Sequence, residues 1–253
     1  MGIVLHRCIM IVVYITKRKN CGMNNFLHRI KRKFIKLRLQ PVRVFCFHHI
    51  TEEYDASYMK RGDWMQLSLF KNKIEDMQLN GIEFISLYSA YNHIKNDRIR
   101  TKKYVVITFD DGYASLKGII PWLMENKIPV TLFINPKYLD GESYRDNPNE
   151  RYLTANDLKE LTDQYGILLS VQSHGWEHTD AAKMSSEELK ENISKTIEAL
   201  TPYTTHSIPI LYHAYTWGSY TKENDEVLMS IGIVPVKING RVNYNDSSCI
   251  DRC

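Results

Sequence analysis

Short apolar, β-branched runs recur along this 253-residue chain with helical patterns between them, and that alternation leaves few architectures open. Strand candidates are Val42–Phe47, Glu83–Ser86, Tyr104–Phe109, Val130–Ile134, Ile167–Gln172, Ile208–Tyr215 and Val234–Ile238. Helical spacing marks Leu67–Asn80, Leu87–Asn96, Ser115–Lys127, Ala155–Tyr165, Ser185–Leu200 and Lys222–Ser230. Thr154 and Ser185 stand where N-caps belong, and Gly81 and Gly166 where helices stop. Strands alternating with helices build repeated β/α units around a parallel sheet. With 43% apolar residues the chain can bury one substantial core, and no repeat, low-complexity segment or second domain interrupts it.

One run, Tyr104-Val-Val-Ile-Thr-Phe-Asp-Asp-Gly-Tyr113, ends in two adjacent carboxylates before a glycine turn. Asp110 and Asp111 then lie at the C-terminal end of a strand, where α/β folds gather their ligands and catalytic groups. Two carboxylates in one cleft can divide the work, one holding a metal and one taking a proton. A solvated Asp-Asp-Gly turn is the bland alternative. A second run, Ile167-Leu-Leu-Ser-Val-Gln-Ser-His-Gly-Trp-Glu-His178, ends in two histidines four apart, which share a face on a helical turn or tight loop. Two imidazoles and one carboxylate from elsewhere make the three-ligand set of catalytic zinc. Two strands that each end in ligand chemistry argue for a site more strongly than either alone.

These residues resemble the polysaccharide deacetylase family, the NodB-homology domain of carbohydrate esterase family 4. Thr108-Phe-Asp-Asp-Gly112 is similar to its first motif and Ser173-His-Gly-Trp-Glu-His178 to its second. Phe47-His-His-Ile50 resembles the Tyr-His-x-Val that opens the poly-N-acetylglucosamine deacetylase-like subgroup, and His213-Ala-Tyr-Thr-Trp-Gly218 its third motif. Asn239-Gly-Arg-Val-Asn243 resembles a later segment of the same subgroup, so the likeness runs from about residue 42 to the end. It implies a distorted (β/α)7 TIM-like barrel over residues 42–253. It also implies Asp111, His174 and His178 as ligands of one divalent metal and Asp110 as general base. Zinc is the expected ion, although cobalt or nickel fit the same ligands. The implied reaction is attack of metal-bound water on the acetamide of an N-acetylated polysaccharide or oligosaccharide. A backbone N–H near Trp217 would help to hold the oxyanion.

The chain departs from the family at several points. Ala214 stands where an arginine often orients the base, Thr216 where proline is usual, and Trp217 where tyrosine is usual. The Leu-x-His that often supplies the general acid is missing, and no histidine follows His213. His48 and His213 are therefore the candidate proton donors, each with a structural role as its alternative. Tyr215, Trp217 and Trp176 are candidate sugar-stacking aromatics. The cluster expected at the C-terminal rim of the barrel is His48, Asp110, Asp111, Asn135, His174, Tyr215 and Trp217, with Lys137–Tyr152 as a long rim loop.

Net charge +4 hides an asymmetry. Eleven Lys and Arg precede residue 44 without one acid, which leaves −7 on the rest. Within residues 1–41, a leader distinct from the barrel, Phe26, Ile30, Phe34 and Leu37 fall on one helical face. The stretch 17–43 can lie on anionic lipid, or form a basic helix that caps the barrel or frays. Nothing resembles a base-reading module, so nucleic acid is not an expected partner. The apolar run Cys8–Ile15 is too short to span a bilayer and lacks a cleavage site, and translation starting at Met23 is an alternative. A cytoplasmic or inner-membrane-face location is the expectation, with an extracytoplasmic one still open. Five scattered cysteines argue against a disulfide framework, and a chain ending at Cys253 hints at truncation. The reading is a metal-dependent deacetylase. Its rivals are a catalytically lapsed carbohydrate-binding protein on the same fold and a hydrolase of small cyclic amides.

Overall fold

The computed structural model describes residues 39–253 apart from 98, 144, 146, 148, 205–208 and 246. Nearly all of the 1–41 leader, and most of the basic stretch 17–43, therefore lies outside the described residues. Among the described residues no helix is long and apolar enough to cross a membrane.

Among the described residues ten strands form: β1 Val42–Phe47, β2 His49–Thr51, β3 Trp64–Gln66, β4 Glu83–Phe84, β5 Tyr104–Phe109, β6 Val130–Ile134, β7 Leu169–Ser173, β8 Tyr212–Ala214, β9 Val234–Ile238 and β10 Ile250–Arg252. The helices are α1 Leu67–Leu79, α2 Leu87–Asn96, α3 Ile120–Glu125, α4 Ala155–Tyr165, α5 Ser186–Leu200 and α6 Lys222–Ser230. The main sheet runs β1-β5-β6-β7-β8-β9-β10, all parallel, and β2 with β3 makes a separate parallel pair. The outer edges meet. Cys253 N–H donates to Val44 O (3.0 Å) and Cys46 N–H to Cys253 O (3.2 Å), curling the sheet into the expected distorted seven-stranded barrel.

Membership of that ring differs from the expectation at one strand. The Glu83–Ser86 candidate shortens to β4, which pairs only with the first residues of β5 and stands off the ring. The seventh ring strand is β10, three residues too short to show a period and flanked by polar sequence. The Ser115–Lys127 helix also divides, into a 3-10 turn at Ala114–Gly118 and α3. Pro121 occupies the first turn of α3, where its missing N–H costs nothing but its ring forbids a continuous helix. β7 begins two residues late because Ile167, 84% exposed, lies in the turn before it. β8 is shorter than Ile208–Tyr215, and position 208 lies outside the described residues.

Every residue of β5 and of β6 is buried, which is why those strands read as unbroken apolar runs. Alternate residues serve two cores. Val105, Ile107, Phe109, Val130, Leu132, Ile134, Leu169 and Val171 face the helical layer. The opposite set, Val42, Val44, Val106, Phe133, Tyr212, Ala214, Val236 and Ile250, comes from six of the seven ring strands and packs with Leu87, Ala90 and Ile94 of α2. Thr154 and Ser185 each complete a capping box, with Asp157 and Glu188, fixing where α4 and α5 begin.

Ile250, fully buried, anchors the strand that closes the ring. Ile250→Ala should therefore cost about 2–4 kcal/mol in urea denaturation. Ile167→Ala, at an exposed turn, should stay within about 0.5 kcal/mol of the parent.

Candidate metal centre and active site

The C-terminal ends of the ring strands converge on one cleft of about 300 Å³, lined by His48, Lys60, Asp63, Asp110, Asp111, Arg145, His174, His178, Tyr215, Trp217 and Ile238. His48 follows β1, Asp110 and Asp111 follow β5, and His174 follows β7. Asn135, just after β6, clamps the turn that carries the first histidine, its amide donating to His174 O (2.6 Å) and Gly175 O (2.9 Å).

Asp111, His174 and His178 are all buried, and their ligand atoms lie within 4.8 Å of one another. Asp111 Oδ1 is 3.3 Å from His174 Nε2 and 3.2 Å from His178 Nε2. The tautomer of His174 follows from its other nitrogen: Nδ1 faces the carbonyl of Ala214 at 2.8 Å, and a carbonyl only accepts. Nδ1 must carry the proton, so Nε2 turns a lone pair toward the carboxylate. Among the described residues Asp111 Oδ1 makes no well-directed hydrogen bond. A lone pair aimed at a buried carboxylate oxygen is repulsive unless a cation lies between them, and two imidazoles with one carboxylate suit a divalent metal. The residues present fit a single divalent cation.

Asp110 is held differently. Arg252, the last residue of β10 and fully buried, forms a two-pronged pair with it, Nη1 to Oδ1 at 2.6 Å and Nη2 to Oδ2 at 2.7 Å. Arg252 Nη1 also reaches Thr108 Oγ1 at 3.3 Å, and the guanidinium lies 5.1 Å from the Phe133 ring. The Cys46 thiol donates to Asp110 Oδ2 at 3.3 Å, and burial pushes that thiol's pKa up, which keeps it a donor. Burial alone would raise the Asp110 pKa, but the attraction of the Arg252 guanidinium beside it outweighs that and holds the carboxyl below the usual carboxylate range. The sequence offered Ala214 where the family often carries an arginine. The guanidinium on Asp110 comes instead from a strand with no periodic signal, and only its residue type, a lone Arg near the end, hinted at it.

The other candidate residues separate. His48 lines the cleft, and its ring lies within 4.8 Å of Asp110 and Cys46. Trp217, 60% exposed, stands at the lip with its ring 4.6 Å from that of His178. His213 does not line the cleft. It is buried with Nδ1 on Ser173 Oγ (2.9 Å), and burial, with His174 nearby, lowers its pKa to about 3. That packing holds it against Ser173 behind the cleft, outside the set of residues that line it. Tyr215 is fully buried at the cleft wall, and its hydroxyl donates to Asp225 Oδ1 (3.0 Å), so its ring face is not open to a sugar. Trp176 faces a separate groove, where Lys195 Nζ sits 3.8 Å above its ring.

Three cleft residues other than glycine have left-handed backbones: Asp111 (φ 68°), His178 (φ 58°) and Trp217 (φ 59°). Such conformations cost of order 1 kcal/mol or more each and persist where surrounding structure enforces them. Here they turn two ligands and the lip aromatic toward one point.

A distorted β/α barrel with a candidate metal site of one aspartate and two histidines at its C-terminal rim defines the class. The sequence profile of the family described as polysaccharide deacetylase matches residues 97–236, and the chain belongs to that family. The peptidoglycan-N-acetylglucosamine deacetylase PgdA of Listeria monocytogenes is 30% identical over 105 residues, 41% of this chain but only 19% of that protein. In structure the chain is similar to IcaB from Ammonifex degensii (TM-score 0.69, 19% identity, 85% of this chain and 91% of that one). It is equally similar to the Streptococcus pyogenes deacetylase PplD, solved with acetate (TM-score 0.69, 19% identity, 84% and 92%).

The purified chain, loaded with excess divalent metal and desalted, should retain about one equivalent by elemental analysis, and His174→Ala should retain little. Equal retention by both would show that this cluster is not the metal centre.

Proposed function

We propose that this chain is a metal-dependent deacetylase that hydrolyses the acetamide of N-acetylated sugars in a polysaccharide or oligosaccharide. The observation that carries the reading is an ionised carboxylate, Asp110, clamped beside a cation-fitting cluster on the floor of one cleft. Bound to Asp111, His174 and His178, the cation, for which zinc is the best match, supplies Lewis acidity to the amide carbonyl and to a hydrolytic water.

The chain's own residues divide the remaining work. Asp110 takes the proton of the attacking water, and Arg252 fixes the geometry of that base and keeps it charged. Water adds to the acetamide carbon and the C–N bond breaks. The departing amine takes a proton from His48, the histidine outside the metal cluster that lines the cleft. Acetate and a free amino sugar result. Trp217 and Ile238, both exposed, give the lip an apolar face suited to pyranose C–H surfaces. The Listeria and Streptococcus relatives are described as deacetylases, which supports the same reading. The basic stretch 17–43 supports a contact with anionic lipid, and with it a place on the inner membrane face, on sequence grounds alone.

The metal-loaded protein should release acetate from N-acetylglucosamine oligomers, and Asp110→Asn should slow that release at least about a hundredfold with the metal retained. Saccharide binding without acetate release by the parent would leave the lapsed, carbohydrate-binding reading standing.

Arg252→Met should also lower kcat by about a hundredfold or more and destabilise the fold by about 3–5 kcal/mol, since Asp110 is left buried without its partner. Added guanidinium ion should restore part of the lost kcat, and Arg252→Lys should fall between parent and Met variant because one ammonium cannot grip both oxygens. No rescue in a variant that still folds and binds metal would reduce Arg252 to a structural role.

A further inference from the structure

The two histidines of the candidate metal centre stand on one turn, but different parts of the barrel hold them. The carbonyls of its first half are gripped from the β6 side. The Asn135 amide donates to His174 O and Gly175 O. Lys137 N–H donates to Trp176 O at 3.2 Å and the Tyr138 hydroxyl to Glu177 O at 3.1 Å, both from the start of the expected rim loop. His174 is also fixed at its ring, through Nδ1 on Ala214 O. His178 has no such anchor. Among the described residues nothing hydrogen-bonds its buried Nδ1. Its backbone is left-handed at φ 58°, a conformation that a histidine keeps only where its surroundings enforce it.

The enforcing contacts come from the opposite side, from the turn Tyr215-Thr216-Trp217-Gly218 that follows β8. Thr216 is buried, and its hydroxyl donates at 2.5 Å to Thr179 O, one residue past His178. The rings of Trp217 and His178 meet edge to face, 4.6 Å apart and inclined at 81°. The Ser219 hydroxyl hydrogen-bonds the Asp180 carboxylate, which extends the same grip by one residue. The turn is stiff enough for the task. Gly218 N–H donates to Tyr215 O at 3.3 Å, and Ser219 N–H to Thr216 O at 3.0 Å. Thr216 and Trp217 are two of the positions at which the chain departs from the usual family pattern, and both departures bear on the same ligand. A proline at 216 would have no hydroxyl to give, so the bond to Thr179 belongs to this chain's own sequence.

Resting on the metal centre of the deacetylase reading above, we propose that Thr216 and Trp217 are positioning residues for His178 and set how tightly the cluster binds its divalent cation. Thr216 holds the backbone behind the ligand and Trp217 holds its ring, while neither belongs to the cluster of Asp111, His174 and His178. Groups that orient a ligand from behind typically contribute about ten- to a hundredfold to metal affinity. A ligand whose second ring nitrogen has no hydrogen bond depends on backbone and packing for that orientation.

The test is the zinc Kd of the full chain, titrated against a chromophoric chelator, together with the visible absorption of the cobalt-loaded protein. Thr216→Val keeps the shape of the side chain and removes the hydroxyl, and Thr216→Ser keeps the hydroxyl. The Val variant is expected to weaken zinc binding about tenfold or more and to alter the cobalt band, and the Ser variant to return both most of the way to the parent. Trp217→Leu, at an exposed position where folding is not at stake, is expected to raise the zinc Kd by about threefold or more and to alter the same band. A lower Tm in Thr216→Val with Kd and cobalt band unmoved, or a weakening that Thr216→Ser does not reverse, reduces Thr216 to a structural role and overturns the proposal. Should Thr216→Val not fold, parent-like zinc affinity and cobalt absorption in Trp217→Leu overturn it instead. Each of these results leaves the metal centre standing. Zinc binding by the parent no tighter than by His174→Ala defeats the metal centre itself, and this inference falls with it.

Discussion

The pair between Arg252 and Asp110 joins the architecture of this barrel to its chemistry. Both side chains are buried and the contact is two-pronged, so neither charge can be neutralised or moved without leaving the other unpaired in a dry interior. Arg252 reaches Asp110 because β10 closes the ring against β1, one residue before the backbone bonds that Cys253 makes to Val44 and Cys46. Closure of the sheet therefore also brings the guanidinium to Asp110. A barrel left open at this seam would lose the counter-charge that keeps Asp110 ionised.

Around that pair the protein stores strain where the candidate ligands converge. Asp111, His178 and Trp217 adopt left-handed backbones that side chains beyond glycine avoid. Gly112 and Gly218 follow two of them with positive φ of their own, and a Cβ at Gly112 would meet Ile134 Cδ1 at 2.7 Å. The dense apolar layer under β5 and β6 holds these turns in place. Rigid strands position the turns and the turns aim the side chains, so a cation-fitting cluster forms from Asp111 and two histidines more than 60 positions away along the chain.

Much of this was legible in the chain. Val42–Phe47, Tyr104–Phe109, Val130–Ile134 and Val234–Ile238 form strands with the boundaries their apolar runs mark, and the signal is plainest in Tyr104–Phe109 and Val130–Ile134, which are buried on both faces. Asp111, His174 and His178 meet because each follows the end of a strand, and parallel strands share one rim. Tyr215 and Trp176 carry the same aromatic signature as Trp217, yet one is buried with its hydroxyl on Asp225 and the other turns to a different groove. Residue type marks an aromatic as useful, but burial decides whether a ligand can reach it. His213 was a proton-donor candidate by position alone, and its hydrogen bond to Ser173 behind the cleft is a long-range contact that no local pattern encodes.

Period and residue type by themselves determined the β/α alternation, the parallel sheet and the two ligand-bearing strand ends. Those features depend on neighbours within a few residues, and burial imposes the same pattern on every such element. Only the tertiary structure decided that β10 rather than β4 completes the ring, that Arg252 reaches Asp110 from 142 positions away, and that Arg145 lines the cleft. A three-residue strand has no period to read, and a charge finds its partner through the fold. The distance along the chain between Arg252 and Asp110 carries no information about the 2.6 Å that separates them in space.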